Sequence, residues 1–287
     1  MSTHDLDRLA QLRLDRAAMG ELVQKGDVFA IPIHAGKVPT FGQPPTMFAV
    51  PLDPYEHDNL DDRTWLLGRS DNRVYAARAV DDDELADLDL PSSMRWSNLR
   101  DVASQIQPSE ANLLAMATGL STWHHTHRYC GACGTETVID WAGHKRLCRS
   151  CDREHFPRTD PAIIVLVTHA ERALLARAPR WPVGFASVLA GFVEPGESLE
   201  DAVCREVCEE VGLECVDVTY QSSQPWPFPS SVMLGFRAEA SSDEIVPDPS
   251  EIADAAFWTK EEIADGAVRL PGPVSIARRL VDDWLAE

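Results

Sequence analysis

Positive charge is scarce in this chain. Its 287 residues carry 26 Lys and Arg against 46 Asp and Glu, a formal net charge of −20. Such an acidic balance argues against broad electrostatic attachment to nucleic acid or to anionic membrane. Long apolar runs are lacking too. The longest, Ala162–Val167, is far too short to span a bilayer and reads as a buried strand. The opening Met-Ser-Thr-His-Asp-Leu-Asp has neither the basic start nor the apolar core of a signal peptide. No lipidation motif is visible, so cytoplasm is the expected location. Internal repeats are absent. The remaining composition, 44% hydrophobic and 25% charged, is that of a globular protein. The length allows one large or two ordinary domains.

Cysteine is also sparse, and its placement is informative. Four of the seven form Cys130-x2-Cys133 and Cys148-x2-Cys151, with fourteen residues between the pairs. Two such knuckles match a tetrahedral zinc site of ribbon type. Thioredoxin-like redox chemistry would need a single pair at a strand-to-helix turn, and disulfides are not expected in a reducing cytoplasm. The zinc would be structural, because four cysteines leave no open position. Cys204, Cys208 and Cys215 read as small buried or half-buried hydrophobes. His124, His125 and His127 lie just before the ribbon; with four thiolates already present, they read as the end of a helix.

The acidic residues are concentrated. Glu194, Glu197, Glu200, Asp201, Glu206, Glu209 and Glu210 fall within one loop and the helix expected after it. Ser198 with Asp201 resembles an N-terminal cap. Leu199, Val203 and Val207 form an apolar stripe. Gly212 fits the left-handed position that ends a helix. Glu206 and Glu210 then share one helical face, where like charges repel. A hard divalent cation, Mg2+ or Mn2+, relieves that repulsion. The alternative for a lone Glu-Glu pair is a solvated amphipathic helix.

Three regions follow along the chain: an N-terminal domain over 1–127, a ribbon over 128–156 and a domain over 157–287 that holds the acidic segment. In the first, Val28–Ile33 and Met47–Val50 are short apolar runs. Trp65–Gly68 and Val74–Ala77 look like hairpin partners around Ser70-Asp71-Asn72. Asp81–Glu84 reads as a solvated acidic turn, and Pro39–Pro45 as a loop. Leu113, Leu114, Ala117, Leu120 and Trp123 have helical spacing over Ser109–His127. Beyond the ribbon, Ala162–Val167, Ala173–Ala178, Ser187–Ala190, Val216–Gln221, Val232–Ala238 and Ala255–Thr259 read as strands, with Ile276–Leu285 as a closing helix. This alternation is that of an α/β fold.

Ser223-Gln224-Pro225-Trp226-Pro227-Phe228-Pro229-Ser230-Ser231 stands out physically. Three prolines and two aromatics make a stiff, extended backbone that orders at low entropic cost. It could present rings to a ligand, or its rings could plug the core.

Gly191, Glu197, Arg205, Glu206, Val207, Glu209, Glu210, Gly212 and Leu213 fit the pattern G-x5-E-x7-R-E-U-x-E-E-x-G-U, where U is aliphatic. That pattern resembles the Nudix hydrolase box at every specified position. Residues 223–231 resemble S-Q-P-W-P-F-P-x-S, the hallmark of the NADH pyrophosphatase (NudC-like) branch of that family. The resemblance covers roughly residues 128–285 and is weaker over the N-terminal region. It implies an α/β/α Nudix sandwich with a mixed sheet, preceded by a zinc ribbon and a β-rich N-terminal domain. It also implies a homodimer that hydrolyses the pyrophosphate of NADH or NAD to nicotinamide mononucleotide and AMP, and removal of NAD caps from RNA.

The resemblance extends to individual residues. Glu206 and Glu210, the carbonyl of Ala190 and the later carboxylate Glu251 match metal ligands. Glu209 would bind a further ion or, like Glu210, act as base. Residues 224–231 match a substrate loop. Phe156 and Phe192 match aromatic positions that sandwich the nicotinamide, one from each subunit. Ala277 matches a further substrate contact. Gly143 departs from the pattern, standing where some relatives carry an acidic contact. Arg100 is the best candidate for a substrate arginine in the N-terminal region, and Arg205 is expected to orient Glu197. Two other readings compete: a Nudix hydrolase of ADP-ribose or another nucleoside diphosphate derivative, and a zinc-ribbon nucleic-acid-binding protein whose Nudix domain is silent. The proline-aromatic loop weighs against the first, the intact box and the charge against the second.

Overall fold

The computed structural model of the chain describes residues 6–52, 63–87 and 90–287. The first five residues of the opening segment lie outside it. Two compact units are present: residues 1–158 with 227–230, and residues 159–226 with 231–287.

The first unit starts with α1 (Arg16–Gln24), capped where the Asp15 carboxylate accepts from Ala18 N–H. Its main sheet contains β1 (Val28–Ile33), a later strand β4 (Val50–Pro51), and the hairpin β5 (Thr64–Ser70) and β6 (Arg73–Ala79). The order is β4-β1-β6-β5, with β1 and β6 parallel. Asp71 and Asn72 turn the hairpin with φ of 49° and 60°, values those side chains tolerate best after glycine. A smaller sheet joins β2 (Val38–Phe41), β3 (Thr46–Met47) and β7 (Arg95–Ser97).

Two expectations change here. Pro39 lies in a strand rather than a loop, because Val38 is drawn into the core. The Asp81–Glu84 segment is exposed as expected over Asp81–Asp83 but is not a turn: Asp82–Asp87 form helix α2. Asp81 accepts the backbone N–H of Glu84 at 3.0 Å and Glu84 that of Asp81 at 3.2 Å, a reciprocal cap that satisfies orphan donors. Arg63 pairs with both carboxylates.

A short helix α3 (Leu99–Val102) precedes α4 (Pro108–Thr126), which has proline in its first turn, where no N–H is needed. Its buried face, with Leu113, Leu114, Ala117 and Leu120, packs with Ile31, Trp65 and Leu67 of the sheet. The ribbon sheet comprises β8 (Val138–Asp140), β9 (Lys145–Leu147) and β10 (Glu154–His155). It is fastened to β5: His144 Nε2 lies 2.7 Å from Leu66 O. A Cβ added to Gly143 would meet Trp65 at 2.5 Å, and φ there is +94°. Only glycine fits that approach.

In the second unit, β11 (Asp160–His169), β12 (Arg172–Arg177), β13 (Leu189–Phe192), β14 (Cys215–Trp226), β15 (Ser231–Ala240) and β16 (Asp254–Trp258) make one mixed sheet. The order is β14-β15-β11-β12-β16, with β13 also on β11 and only the β11–β15 pair parallel. Strand alternation splits β11 between two cores. Ile163, Val165 and Val167 face Val203, Val207 and Val211 of α5 (Leu199–Val211). Ile164 and Leu166 face Ile276, Leu280 and Trp284 of α7 (Ile276–Leu285), with α6 (Lys260–Ala264) beside it. The result is the expected α/β/α sandwich.

The strand expected to stop at Gln221 instead runs to Trp226, Pro225 opposite Val232. β14 is an edge strand, where a missing N–H can face outward without loss of a ladder bond. Among the described helices none is long and apolar enough to cross a membrane.

Candidate active site

The sequence folds the acidic segment as a capped helix. Ser198 Oγ accepts from Asp201 N–H at 3.1 Å, and Gly212 closes α5 with φ of 71°. The stripe Val203, Val207 and Val211 is fully buried, which fixes the helix against the sheet.

Arg205 organises the acidic residues. Its guanidinium donates to Glu197 Oε1 and Oε2 at 2.7 and 3.0 Å, to Glu206 Oε1 and Glu209 Oε2 at 2.9 Å each, and to the carbonyl of Phe192 at 2.9 Å. One cation therefore ties the helix, the preceding loop and β13 together. Glu197 also accepts from Glu194 N–H at 3.0 Å. These bonds, Arg205's first, hold the Glu197 carboxyl below the usual range.

Glu206 and Glu210 behave differently. Glu206 is only 12% exposed, and burial pushes its pKa up despite Arg205. Glu210 is buried and its Oε2 has no hydrogen-bond partner. Burial, then the charges of Glu206 and Glu251, push its carboxyl up to about 8. A buried, orphaned carboxylate oxygen beside two further acids is costly as it stands. Bound hard cations would satisfy these oxygens, so the donor set fits a hard divalent cation.

Glu251 reaches this cluster through backbone bonds. Val246 N–H and Asp248 N–H donate to the carbonyls of Val211 and Glu210 at 2.9 and 3.0 Å. The loop thus caps carbonyls that a helix end leaves orphaned, while Asp248 O accepts from Glu251 N–H at 3.1 Å. Sequence reasoning found Glu251 only by resemblance, and no local signal marks the cap. Ala190 lies on β13 opposite Ile164. Its neighbour Gly191 approaches Glu206 so closely that any Cβ would overlap the carboxyl group.

The remaining candidates belong to both units. Phe192 and Phe156 are exposed, at 60% and 52%. Phe156 leans on Trp141 with ring centroids 5.9 Å apart. The tip Pro227–Ser230 groups with the first unit. There Phe228 packs against the core containing Leu113 and Leu120, and Arg100 lies over its ring at 5.1 Å. Arg100 and the loop are thus brought together, and one of the loop's two rings does plug a core. Trp226, Ser230 and Ser231 are half-buried and Pro229 is exposed. The amide of Gln224 is committed: it donates to Val274 O at 2.6 Å and accepts from Ile276 N–H at 2.8 Å, fixing the start of α7. Ala277 is buried at 3%, its N–H bonded to Ser275 Oγ.

The four ribbon cysteines converge, their sulfurs all within 4.8 Å of one another. Three separations are 3.5, 3.6 and 3.7 Å. Zinc–sulfur bonds of about 2.3 Å place tetrahedral sulfurs about 3.8 Å apart. The donor set fits structural zinc. His124 is no ligand: Nε2 lies 2.9 Å from Gly143 O and Nδ1 lies 3.0 Å from Arg146 Nη1. Cys204 and Cys215 are half-buried as expected, burial pushing the Cys215 thiol up to about 12. Cys208 is exposed instead, on the outer side of α5.

An acidic, arginine-braced helix on an α/β/α sandwich defines a Nudix-type hydrolase domain, and residues 158–280 match the family model described as NUDIX domain. Residues 125–156 match the NADH pyrophosphatase zinc ribbon domain, and 22–123 the NADH pyrophosphatase-like rudimentary NUDIX domain. A protein of Stutzerimonas stutzeri (strain A1501) named NAD-capped RNA hydrolase NudC is 45% identical over 205 residues, 70% of this chain and 73% of its own. Its namesake from Pseudomonas putida (strain W619) is 41% identical over 233 residues, 78% of this chain and 82% of its own. A solved NUDIX hydrolase from Nitrosomonas europaea covers 55% of this chain and 88% of its own, with a TM-score of 0.41 and 20% identity. The chain belongs to the NADH pyrophosphatase branch of the Nudix hydrolase family.

Proposed function

We propose that the protein hydrolyses the pyrophosphate bond of NADH or NAD to nicotinamide mononucleotide and AMP, and that it removes NAD from the 5′ end of capped RNA. The observation that carries this reading is Glu210, a buried carboxylate with an orphan oxygen beside Glu206 and Glu251. The names of the relatives support the choice of substrate.

The carbonyl of Ala190 and the carboxylates of Glu206, Glu209, Glu210 and Glu251 are the residues that would hold Mg2+ or Mn2+. When bound, such ions neutralise the diphosphate and lower the pKa of bound water. Arg205 positions Glu197, Glu206 and Glu209 without needing to touch substrate. Water oxygen bonds to one phosphorus, the bridging P–O bond breaks, and the water proton passes to Glu209 or Glu210. Glu209 is 61% exposed, whereas Glu210 ionises readily only when cations offset its buried charge.

The exposed rings of Phe156 and Phe192 suit the nicotinamide, one contributed by each subunit of a homodimer. Arg100 and Pro225–Ser231 supply the other substrate contacts. Gln224 acts through its grip on the start of α7, next to Ala277. Side-by-side rates on NADH, NAD, NAD-capped RNA and ADP-ribose, each with Mg2+ and with Mn2+, test the reading. Faster turnover of ADP-ribose than of all three NAD substrates would overturn it.

A further inference from the structure

The first unit contains a cavity of about 960 Å3, walled by the end of α4, by Trp65 of β5 and by ribbon residues such as Thr137. Its lining inverts the charge balance of the chain. Arg63, Arg128, Arg146 and His125 line it against a single carboxylate, Glu136. Elsewhere acids outnumber bases heavily. The volume falls within the range of small-molecule sites.

The wall is built rather than loose. Arg146 is buried, donating through Nε and Nη2 to Thr137 Oγ1 and O at 2.7 and 2.9 Å. Trp65, 2% exposed, stacks on His124 with centroids 4.5 Å apart. Its indole N–H is buried with no hydrogen-bond partner, a donor left in need of an acceptor. Arg63 and Arg128 sit in exposed ion pairs, with Asp81 and Glu84 and with Glu136 respectively. Exposed pairs of this kind contribute little to stability, whereas a guanidinium fork on a phosphate is strong and directional.

We propose that this cavity is a binding site for a phosphate-bearing small molecule of mononucleotide size, with Arg63, Arg128 and His125 receiving the phosphate. The site is built entirely from residues of the first unit, and the inference does not rest on the hydrolase reading.

The test uses the full-length, zinc-loaded protein labelled with 5-fluorotryptophan, its Trp65 19F resonance assigned with Trp65→Phe. AMP is the probe, and adenosine is the same ring system without the phosphate. AMP should move the Trp65 resonance saturably and bind about tenfold or more tightly than adenosine, the worth of one charge-assisted hydrogen bond. Arg63→Gln with Arg128→Gln should weaken AMP by at least about tenfold on the same grounds. Arg128→Gln alone, at a side chain 57% exposed, should weaken it in the same direction and serves if the double variant fails to fold. A Trp65 resonance unmoved by millimolar AMP, equal binding of adenosine, or full AMP affinity in the folded arginine variants would overturn the proposal.

Discussion

Gly191 lies against the carboxylate of Glu206: a Cβ placed on Gly191 would sit 1.8 Å from Glu206 Cδ. The strand that carries Ala190 and the helix that carries Glu206 approach this closely because one residue has no side chain. Gly191→Ala should therefore push Glu206 out of place with little effect on the core, since Val203 and Val207 hold the helix independently. A displacement of this size costs about a hundredfold in rate. Steady-state kinetics with a parallel melting curve check it; normal turnover in Gly191→Ala would show that the position of Glu206 is unimportant.

Glu210→Gln keeps the shape of the side chain and removes its charge. Turnover should fall by about a hundredfold or more, the scale of a lost acid-base or metal-binding group. Stability should move the other way in protein stripped of divalent ions. The carboxyl is raised from 4.5 to about 8 in the folded state. Its favourable contribution is therefore complete below about 4.5 and is lost as pH rises to 8, where the unfolded chain alone is ionised freely. At pH 8 and above, metal-free Glu210→Gln should melt higher than the parent. A lower melting point there would mean that the carboxylate is satisfied in a way the structure does not contain.

The acidic helix and the zinc ribbon were legible in the sequence because their chemistry is local. Cap, stripe and terminating glycine of α5 lie within Ser198–Gly212, and each Cys-x2-Cys knuckle is one turn. Ile276–Leu285 was readable to the residue for the same reason. What escaped depends on distant partners. The reach of Glu251 to the cluster rests on backbone bonds to Glu210 and Val211. The commitment of Gln224 to residues 274 and 276 pairs side chain with backbone some fifty residues on. The helical start at Asp82 was missed because a reciprocal Asp81–Glu84 cap looks, in composition, like a solvated turn.

His124 gives a pH test within the first unit. Its Nε2–H donates to Gly143 O while Nδ1 accepts from Arg146, so the ring is neutral. Burial, first, lowers its pKa from 6.5 to about 3, with repulsion from Arg146 and from a protonated His144 adding to it against the opposing bond to Gly143. His144 is lowered to about 4, again mainly by burial. Both lie below the unfolded value, so folding stability is whole above about 6.5 and falls as pH drops towards 4. Each ring then costs up to about 1.4 kcal/mol per pH unit. Side-chain 15N NMR should find His124 neutral at pH 5. A charged ring at that pH would contradict the bonding described.

Zinc should hold more than the ribbon. Gly143 and His144, between the two knuckles, bond to His124 and to the backbone of Leu66. Metal analysis should find one zinc per chain, and Cys130→Ser should increase hydrogen exchange in β5 as well as in β8 and β9. Exchange confined to the ribbon would show that the two parts are energetically independent.

Phe192 offers a test of the proposed substrate. Its ring is 60% exposed, while its carbonyl accepts from Arg205. The backbone is thus tied to the acidic helix and the side chain is left exposed. A base–aromatic stack is worth roughly 1–3 kcal/mol, about five- to a hundredfold in affinity. NADH has a nicotinamide to stack and ADP-ribose does not. Phe192→Ala removes the ring but keeps the carbonyl, so Arg205 and the glutamates should stay in place. Its kcat/KM for NADH should fall by that factor, while kcat/KM for ADP-ribose changes little. Equal losses on both would place the effect on the acidic helix and remove Phe192 from the recognition of nicotinamide. If neither value changed, the ring would have no part in turnover.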